Sequence, residues 1–266
     1  MAIDPSATIH PSAIVEAGAE IGPGAVIGPF SVIGPEVRLG PGVVVKSHAI
    51  VTGLTEIGEG TEIFPFANIG DIPQDLKFRG EKTRLIVGRR NRIREAVTMN
   101  TGTEGGGGIT RVGDDCLFMT GSHVGHDVQV GNGVIMANHA ALAGHCIIGD
   151  NVVIGGLSGI HQWVRVGEGA IIGAVTMVTN DVIPFGLVQG PRGVLDGLNL
   201  IGLKRRGVSR EEISALRAAF QELATGDGTF HDRAERLAAA TDSDHVRQMV
   251  DFVLAETDRS FLTPKP

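Results

Sequence analysis

An apolar residue returns every sixth position along most of this chain. One run passes through Ile3, Ile9, Val15, Ile21, Ile27, Ile33, Leu39, Val45, Val51, Ile57, Ile63 and Ile69. A short run follows at Val87, Ile93 and Met99, and a third extends through Val112, Phe118, Val124, Val130, Met136, Leu142, Ile148, Ile154, Ile160, Val166, Ile172 and Val178. The residue four places after the beat is almost always small or β-branched, as at Ala7, Ala13, Ala19, Ala25, Ser31, Val37, Val43 and Ala49. The residue directly after it is often glycine: Gly22, Gly28, Gly34, Gly40, Gly58 and Gly70. An amphipathic helix spaces its apolar residues by three and four, so a period of six excludes one. Hexad repeats predict a parallel β-helix, a mainly β fold. Each hexad is a short strand and a corner, and three hexads close an 18-residue triangular coil. The beat and the small residue both face the narrow interior, and the glycines are expected to supply the positive φ of the corners. The 27 beats make nine coils, a prism about 43 Å long at a strand spacing of about 4.8 Å. The spacing does not set the handedness; right-handed crossovers are the general rule.

The beat is interrupted at residues 71–86 and 103–111. Loops extruded from a rigid scaffold are where recognition concentrates, and the first carries Gln74, Asp75, Lys77 and Phe78. The Gly105–Gly108 run has no strand-to-helix context and is not read as a phosphate loop. Beyond Val178 the pattern changes. A β-helix domain over 1–183 is therefore expected to be followed by a small α-helical domain over 184–266. Ser209 and Glu212 form a capping box opening a helix with Ile213, Leu216, Phe220 and Leu223 on one face, ended near Gly226. Val246, Met249, Val250, Val253 and Leu254 mark another, capped by Ser243. Two to four helices are expected in all. They would cover the end of the prism, where strand edges are otherwise exposed.

Composition narrows the function classes. A formal net charge of −7 over 266 residues argues against nucleic acid, as does the absence of Tyr, which leaves few stacking platforms. No apolar stretch is long enough to span a membrane. The repeat starts at Ile3, with no room for a signal peptide, which points to the cytosol. Cys116 and Cys146 occupy small inward positions 30 residues apart, hence at different corners, so buried free thiols are expected. Two basic clusters, Arg89, Arg90, Arg92, Arg94 and Lys204, Arg205, Arg206, stand out as a solvated face or as an anion-recognising surface.

His123, His126, His139, His145 and His161 gather in the third run. The 18-residue coil stacks His126, Gly144 and Gln162 in one column and sets His145 one coil beyond Asp127. This arrangement suits acyl transfer. His126 would be the general base toward an attacking hydroxyl. Asp127 would orient its ring, and the Gly144 N–H would stabilise the oxyanion. No serine or cysteine stands beside His126 in an elbow motif, so direct transfer is favoured over a covalent intermediate. A rival reading makes His123, His126 and His145 a three-histidine zinc site, as in the trimeric β-helix carbonic anhydrases, although their pair of histidines five apart is here only three apart.

The ordered set of non-repeat segments — QDLKF, GRRNRIRE, HVGHD, LAGH at 142–145, IHQ at 160–162 and GLKRRG at 202–207 — resembles the UDP-N-acetylglucosamine O-acyltransferases along essentially the whole chain. The resemblance implies a left-handed β-helix and a homotrimer with sites between neighbouring prisms. It implies transfer of a 3-hydroxyacyl chain from acyl carrier protein to the 3-hydroxyl of UDP-N-acetylglucosamine, the first step of lipid A biosynthesis, with no cofactor. His126, Asp127 and Gly144 match the catalytic positions. Gln74, Asp75, Lys77, His123, His145, His161 and Gln162 match the substrate cleft, and Asn199, Arg205 and Arg206 the nucleotide-binding end. The basic clusters would suit an acidic carrier protein. Two positions depart from the family pattern. Ile201 stands where an acidic residue is common, and Ala174 where glycine often lines the acyl groove, which would shorten the preferred chain. The related sugar-nucleotide N-acyltransferase carries an additional N-terminal domain, for which the repeat beginning at Ile3 leaves no room.

Overall fold

The computed structural model describes residues 2–264; Met1, Lys265 and Pro266, at the outer ends of the two expected domains, lie outside it. The chain winds into a triangular parallel β-helix with three flat faces. The first face has nine strands, from Ala2–Ile3 to Arg165–Val166. The second has eleven, beginning at Thr8–Ile9, and the third has nine, from Ile14–Val15 to Met177–Val178. Pairing is in register coil on coil, as Ile21 on Leu39 and Val124 on Leu142. The second face runs on beyond the coils through Gly186–Gln189 and the antiparallel Val194–Leu198.

The core follows from the six-residue pattern. From Ile21 onward the beat residues are buried, and the small residues four places later share the interior, with Ala19, Ala25, Ser31, Val37 and Ala49 fully shielded. Larger side chains at that second position would overfill so narrow a prism.

The role of the glycines after the beat differs from expectation. Of the six, only Gly70 has positive φ. The left-handed residues lie two positions further on, and many are not glycine: Phe30, His48, Asp127, His145 and Trp163, with φ between 57° and 67°. The glycines are required by crowding instead. A Cβ on Gly22 would stand 2.8 Å from the Gly40 carbonyl carbon and the Leu39 oxygen of the next coil.

The breaks in the beat are narrower than the sequence suggests, because the strands beside them lengthen to four residues. Leu54–Ile57, Arg84–Val87 and Ile109–Val112 pair in order across the first face. The segments left outside strands are 72–83 and 101–108. At the first break coil-to-coil spacing rises to 30 residues and at the second to 25. Asn91, fully buried, holds the coils together there. Its N–H donates to Thr61 Oγ1, its Nδ2 to the Gly113 carbonyl, and its Oδ1 accepts the Cys116 N–H. Cys116 and Cys146 are buried free thiols, and burial pushes them up to about 11 and about 12.

Four helices follow: α1 (Leu200–Arg205), α2 (Arg210–Thr225), α3 (Phe230–Ala240) and α4 (Asp244–Leu254). Ser209 and Ser243 cap α2 and α4 as expected. The reciprocal half of the Ser209 capping box is not formed; Glu212 instead accepts from the Ser243 hydroxyl and lies 2.8 Å from His245 Nδ1. The full capping box belongs to α3, between Thr229 and Asp232. The tail returns to the prism where Asp181 pairs with Phe261.

Candidate active site

His126 and Asp127 form the corner after the strand His123–Val124. His126 Nδ1 lies 2.8 Å from Asp127 Oδ2, and both side chains are buried, that of Asp127 to 1% exposure. A carboxylate only accepts when ionised, so Nδ1 carries the proton and Nε2 is left with its lone pair. The carboxylate is fixed in turn by the second break in the beat: the Thr103 N–H donates to Oδ1 at 2.8 Å and the Thr103 hydroxyl to Oδ2 at 2.6 Å. The Asp127 N–H donates to Thr110 Oγ1. The glycine run now has a reason. A Cβ on Gly106 would fall between 2.1 and 2.5 Å from the Asp127 carboxylate atoms, so only glycine lets the backbone settle there.

The stacking of His126 on Gly144 is as expected. A Cβ on Gly144 would lie 2.4 Å from His126 Cε1 and 2.5 Å from Nε2. Among the described residues the Gly144 N–H has no hydrogen-bond partner. That follows from the repeat. This first corner position makes no ladder bond, and elsewhere it holds Pro5, Pro11, Pro23, Pro29, Pro35 and Pro41, residues with no N–H at all. At Gly144 the unused donor is present, next to an imidazole.

Both groups line a cleft of about 430 Å³ on the third face, shared with Gln74, Asn100, His123, His161, Gln162 and Met177. His123 is held by Thr98 Oγ1, 2.7 Å from its Nδ1. Burial, with a smaller contribution from the nearby His126, lowers its pKa and keeps it neutral near neutral pH. Asn100 ties the first loop down through Nδ2 to the Ile72 carbonyl.

The remaining expected residues stand elsewhere. His145 and Trp163 line a neighbouring cleft of about 750 Å³ on the other side of the corner. Their rings stack in parallel at 3.7 Å, while His145 meets His126 edge-on at 4.9 Å. Burial lowers the His145 pKa against the opposing charge of Asp127. Asp75 accepts the Lys77 N–H within the exposed loop, and neither side chain lines the His126 cleft. Asn199 caps α1, accepting the Gly202 N–H and donating to the Gly169 carbonyl. Arg206 lies over the Phe185 ring, and Arg205 and Ala174 are exposed. None of these four reaches the His126 cleft of its own chain. In the first basic cluster, Arg90 is engaged by Asp115 and Arg94 by Glu95.

The three-histidine set of the rival zinc reading is not brought together: His123 does not join it. Among the described residues the atoms that could share a metal belong to His126, Asp127 and His145, all within 4.8 Å of one another. Thr103, Thr98, Asn100, Trp163 and Met177 were not singled out in the sequence. Trp163 and Met177 follow from the 18-residue column through His145 and Ala141. Thr103 and Thr98 do not, because the break at 101–108 shifts the count.

The repeating coil with a histidine–carboxylate pair in an open cleft places the chain among the hexapeptide-repeat transferases. The model of bacterial transferase hexapeptide repeats matches residues 18–53 and 109–144. That of UDP-N-acetylglucosamine O-acyltransferase domain 2 matches residues 181–262. Over 204 residues the chain is 66% identical to a Paracoccus denitrificans protein named as an acyl-carrier-protein-dependent UDP-N-acetylglucosamine O-acyltransferase, covering 77% of each. Over 229 residues it is 48% identical to the protein of that name from Rhizobium johnstonii, covering 86% of this chain and 84% of that one. The solved UDP-N-acetylglucosamine acyltransferase of Campylobacter jejuni superposes with a TM-score of 0.92 at 38% identity, over 97% of this chain and all of that one. The chain belongs to the UDP-N-acetylglucosamine O-acyltransferase family, and its coil is the left-handed parallel β-helix.

Proposed function

We infer that this protein transfers a 3-hydroxyacyl chain from acyl carrier protein to the 3-hydroxyl of UDP-N-acetylglucosamine, the first step of lipid A biosynthesis. The family supports the reaction, and the pairing of His126 with the unused Gly144 N–H supports the site. His126 Nε2 takes the proton of the sugar hydroxyl as its oxygen attacks the thioester carbonyl. The Gly144 N–H stabilises the resulting oxyanion. The intermediate collapses with loss of the carrier thiolate, which takes the proton back from the imidazolium. Asp127 keeps Nδ1 protonated throughout. The buried thiols, pushed up by desolvation, are poor nucleophiles, which favours direct transfer.

The working assembly is a homotrimer with sites between neighbouring prisms. Two observations support this. Phe30, Phe66, Leu157 and Val175 stand exposed along one corner, next to Ile14, Ile50 and Met177 on the third face, and Leu76 at the loop tip is 96% exposed. Lone chains seldom leave so many large apolar side chains exposed along one corner and its adjoining face. Asp75, Lys77, Asn199, Arg205 and Arg206, idle toward their own chain's cleft, would then serve a neighbour's. The acceptor is sugar nucleotide and the donor an acidic carrier protein, met by the exposed Arg89, Arg92 and Lys204. No described helix is long and apolar enough to cross a membrane; we place the reaction in the cytoplasm.

Mass spectrometry of the product from UDP-N-acetylglucosamine and 3-hydroxyacyl carrier proteins tests the reading: an O-acylated sugar nucleotide is expected, and no acylated product would refute it. Ala174 is expected to favour shorter chains. Rates on carriers of graded length should shift toward longer acyl groups in Ala174→Gly; identical profiles would dismiss that role.

A further inference from the structure

We propose that Thr103 is a positioning residue for acyl transfer, acting through Asp127. The proposal rests on the O-acyltransferase reading above. Asp127 sits between two imidazoles. Its Oδ2 lies 2.8 Å from His126 Nδ1 and 3.8 Å from His145 Nδ1. A carboxylate turns readily about its last torsion, so something must decide which histidine it serves. The corner backbone does not decide it, because Asp127 and His145 share the same left-handed conformation one coil apart.

Thr103 supplies that choice. It grips both oxygens, Oδ1 through its N–H and Oδ2 through its hydroxyl, a two-point hold that fixes the plane of the carboxylate. The hydroxyl shares Oδ2 with His126, so Oδ2 carries both charge-assisted bonds and stays on the catalytic side. Gly106 closes the other side; with no Cβ it seats the loop backbone against the carboxylate. The interruption at 103–108 is thus a clamp on the orienting acid, not a spacer between coils. Without the hydroxyl, the N–H alone leaves the carboxylate free to swing toward His145, and His126 loses the partner that fixes its tautomer and ring.

The test is a double-mutant cycle on the full-length protein, read as steady-state acyl transfer with melting temperature alongside. Thr103→Val is expected to lower kcat by about 10- to 100-fold, the scale for residues that orient a reacting group's partner. The KM for UDP-N-acetylglucosamine should stay within about twofold of wild type, since Thr103 contributes nothing to the cleft lining. Thr103→Ser, which keeps the hydroxyl, should restore kcat. In an Asp127→Ala background, Thr103→Val should cost nothing more, because a residue acting through Asp127 has nothing left to act on. Thr103→Ala replaces the valine variant should the latter not fold. Wild-type kcat in the Thr103 variant, failure of serine to rescue, or full additivity with Asp127→Ala would overturn the proposal. Wild-type and His126→Ala controls separate the two claims. No product from wild type refutes the transferase reading; product from wild type, none from His126→Ala and an unaffected Thr103→Val refute only the clamp.

Discussion

At Gly144 a single missing methyl group keeps two functions together: the His126 ring occupies the space a side chain would take, and the N–H stays unpaired beside it. Gly144→Ala should therefore push the imidazole aside and lower kcat by about 100-fold or more, with little change in melting temperature; a variant with near-wild-type kcat would show that the ring is not held there. His123 carries a second residue-scale prediction. Its pKa is lowered in the fold by burial from an ordinary 6.5. The unfolded chain therefore binds the proton more readily, and stability is full above the unfolded value and declines as pH falls below it. The melting temperature of His123→Gln should fall less between roughly pH 7 and 5 than that of wild type; equal slopes would assign the acid sensitivity elsewhere. The stacking of His126, Gly144 and Gln162 was legible in the sequence because they lie within an unbroken run, where adding 18 moves one coil along the prism. Thr103 was not legible, since its partner lies across a break where the chain has lost that count.

The elements show where a repeat can be read and where it cannot. The beat specified the faces, their register and the buried column, since each follows from alternation and interior width. It misassigned the glycines: positive φ at the corners is borne by Asp127, His145 and Trp163 among others, while Gly22 and its equivalents are held small by the coil above. It also drew the breaks too wide, because strand pairing persists through Arg84–Val87 and Ile109–Val112 after the hexad spacing fails. Asn91 bears the consequence, its buried side chain and backbone joining coils at both insertions with three hydrogen bonds. Asn91→Ala would strand the Cys116 N–H and the Gly113 carbonyl without partners, at a cost of about 2 to 4 kcal/mol. Urea unfolding would measure it; a loss under about 0.5 kcal/mol would mean that the junction does not depend on this side chain.

For the whole molecule, the exposed apolar corner and the idle loop and tail residues carry the same implication. Phe30, His48 and Phe66 line up along that corner with ring centroids 5.1 and 5.4 Å apart, a row of aromatic rings on which a second prism would rest. Replacing Phe66 and Leu157 together by Lys should leave the prism folded but move its mass by light scattering from near three chains to the single-chain 27.8 kDa. An unchanged mass would place the interface elsewhere. The substrate was legible only in the non-repeat segments, at corners within the runs as well as in the first break and beyond the last coil, because a β-helix is a scaffold shared by many chemistries and function lies in the sites grafted on it. The most direct measurement is the rate of O-acylated product formation from UDP-N-acetylglucosamine and a 3-hydroxyacyl carrier protein, for wild type and for His126→Ala with its fold verified by melting. Robust turnover by wild type and a loss of at least about 100-fold in the variant are expected. A variant within a few-fold of wild type would contradict His126 as the base.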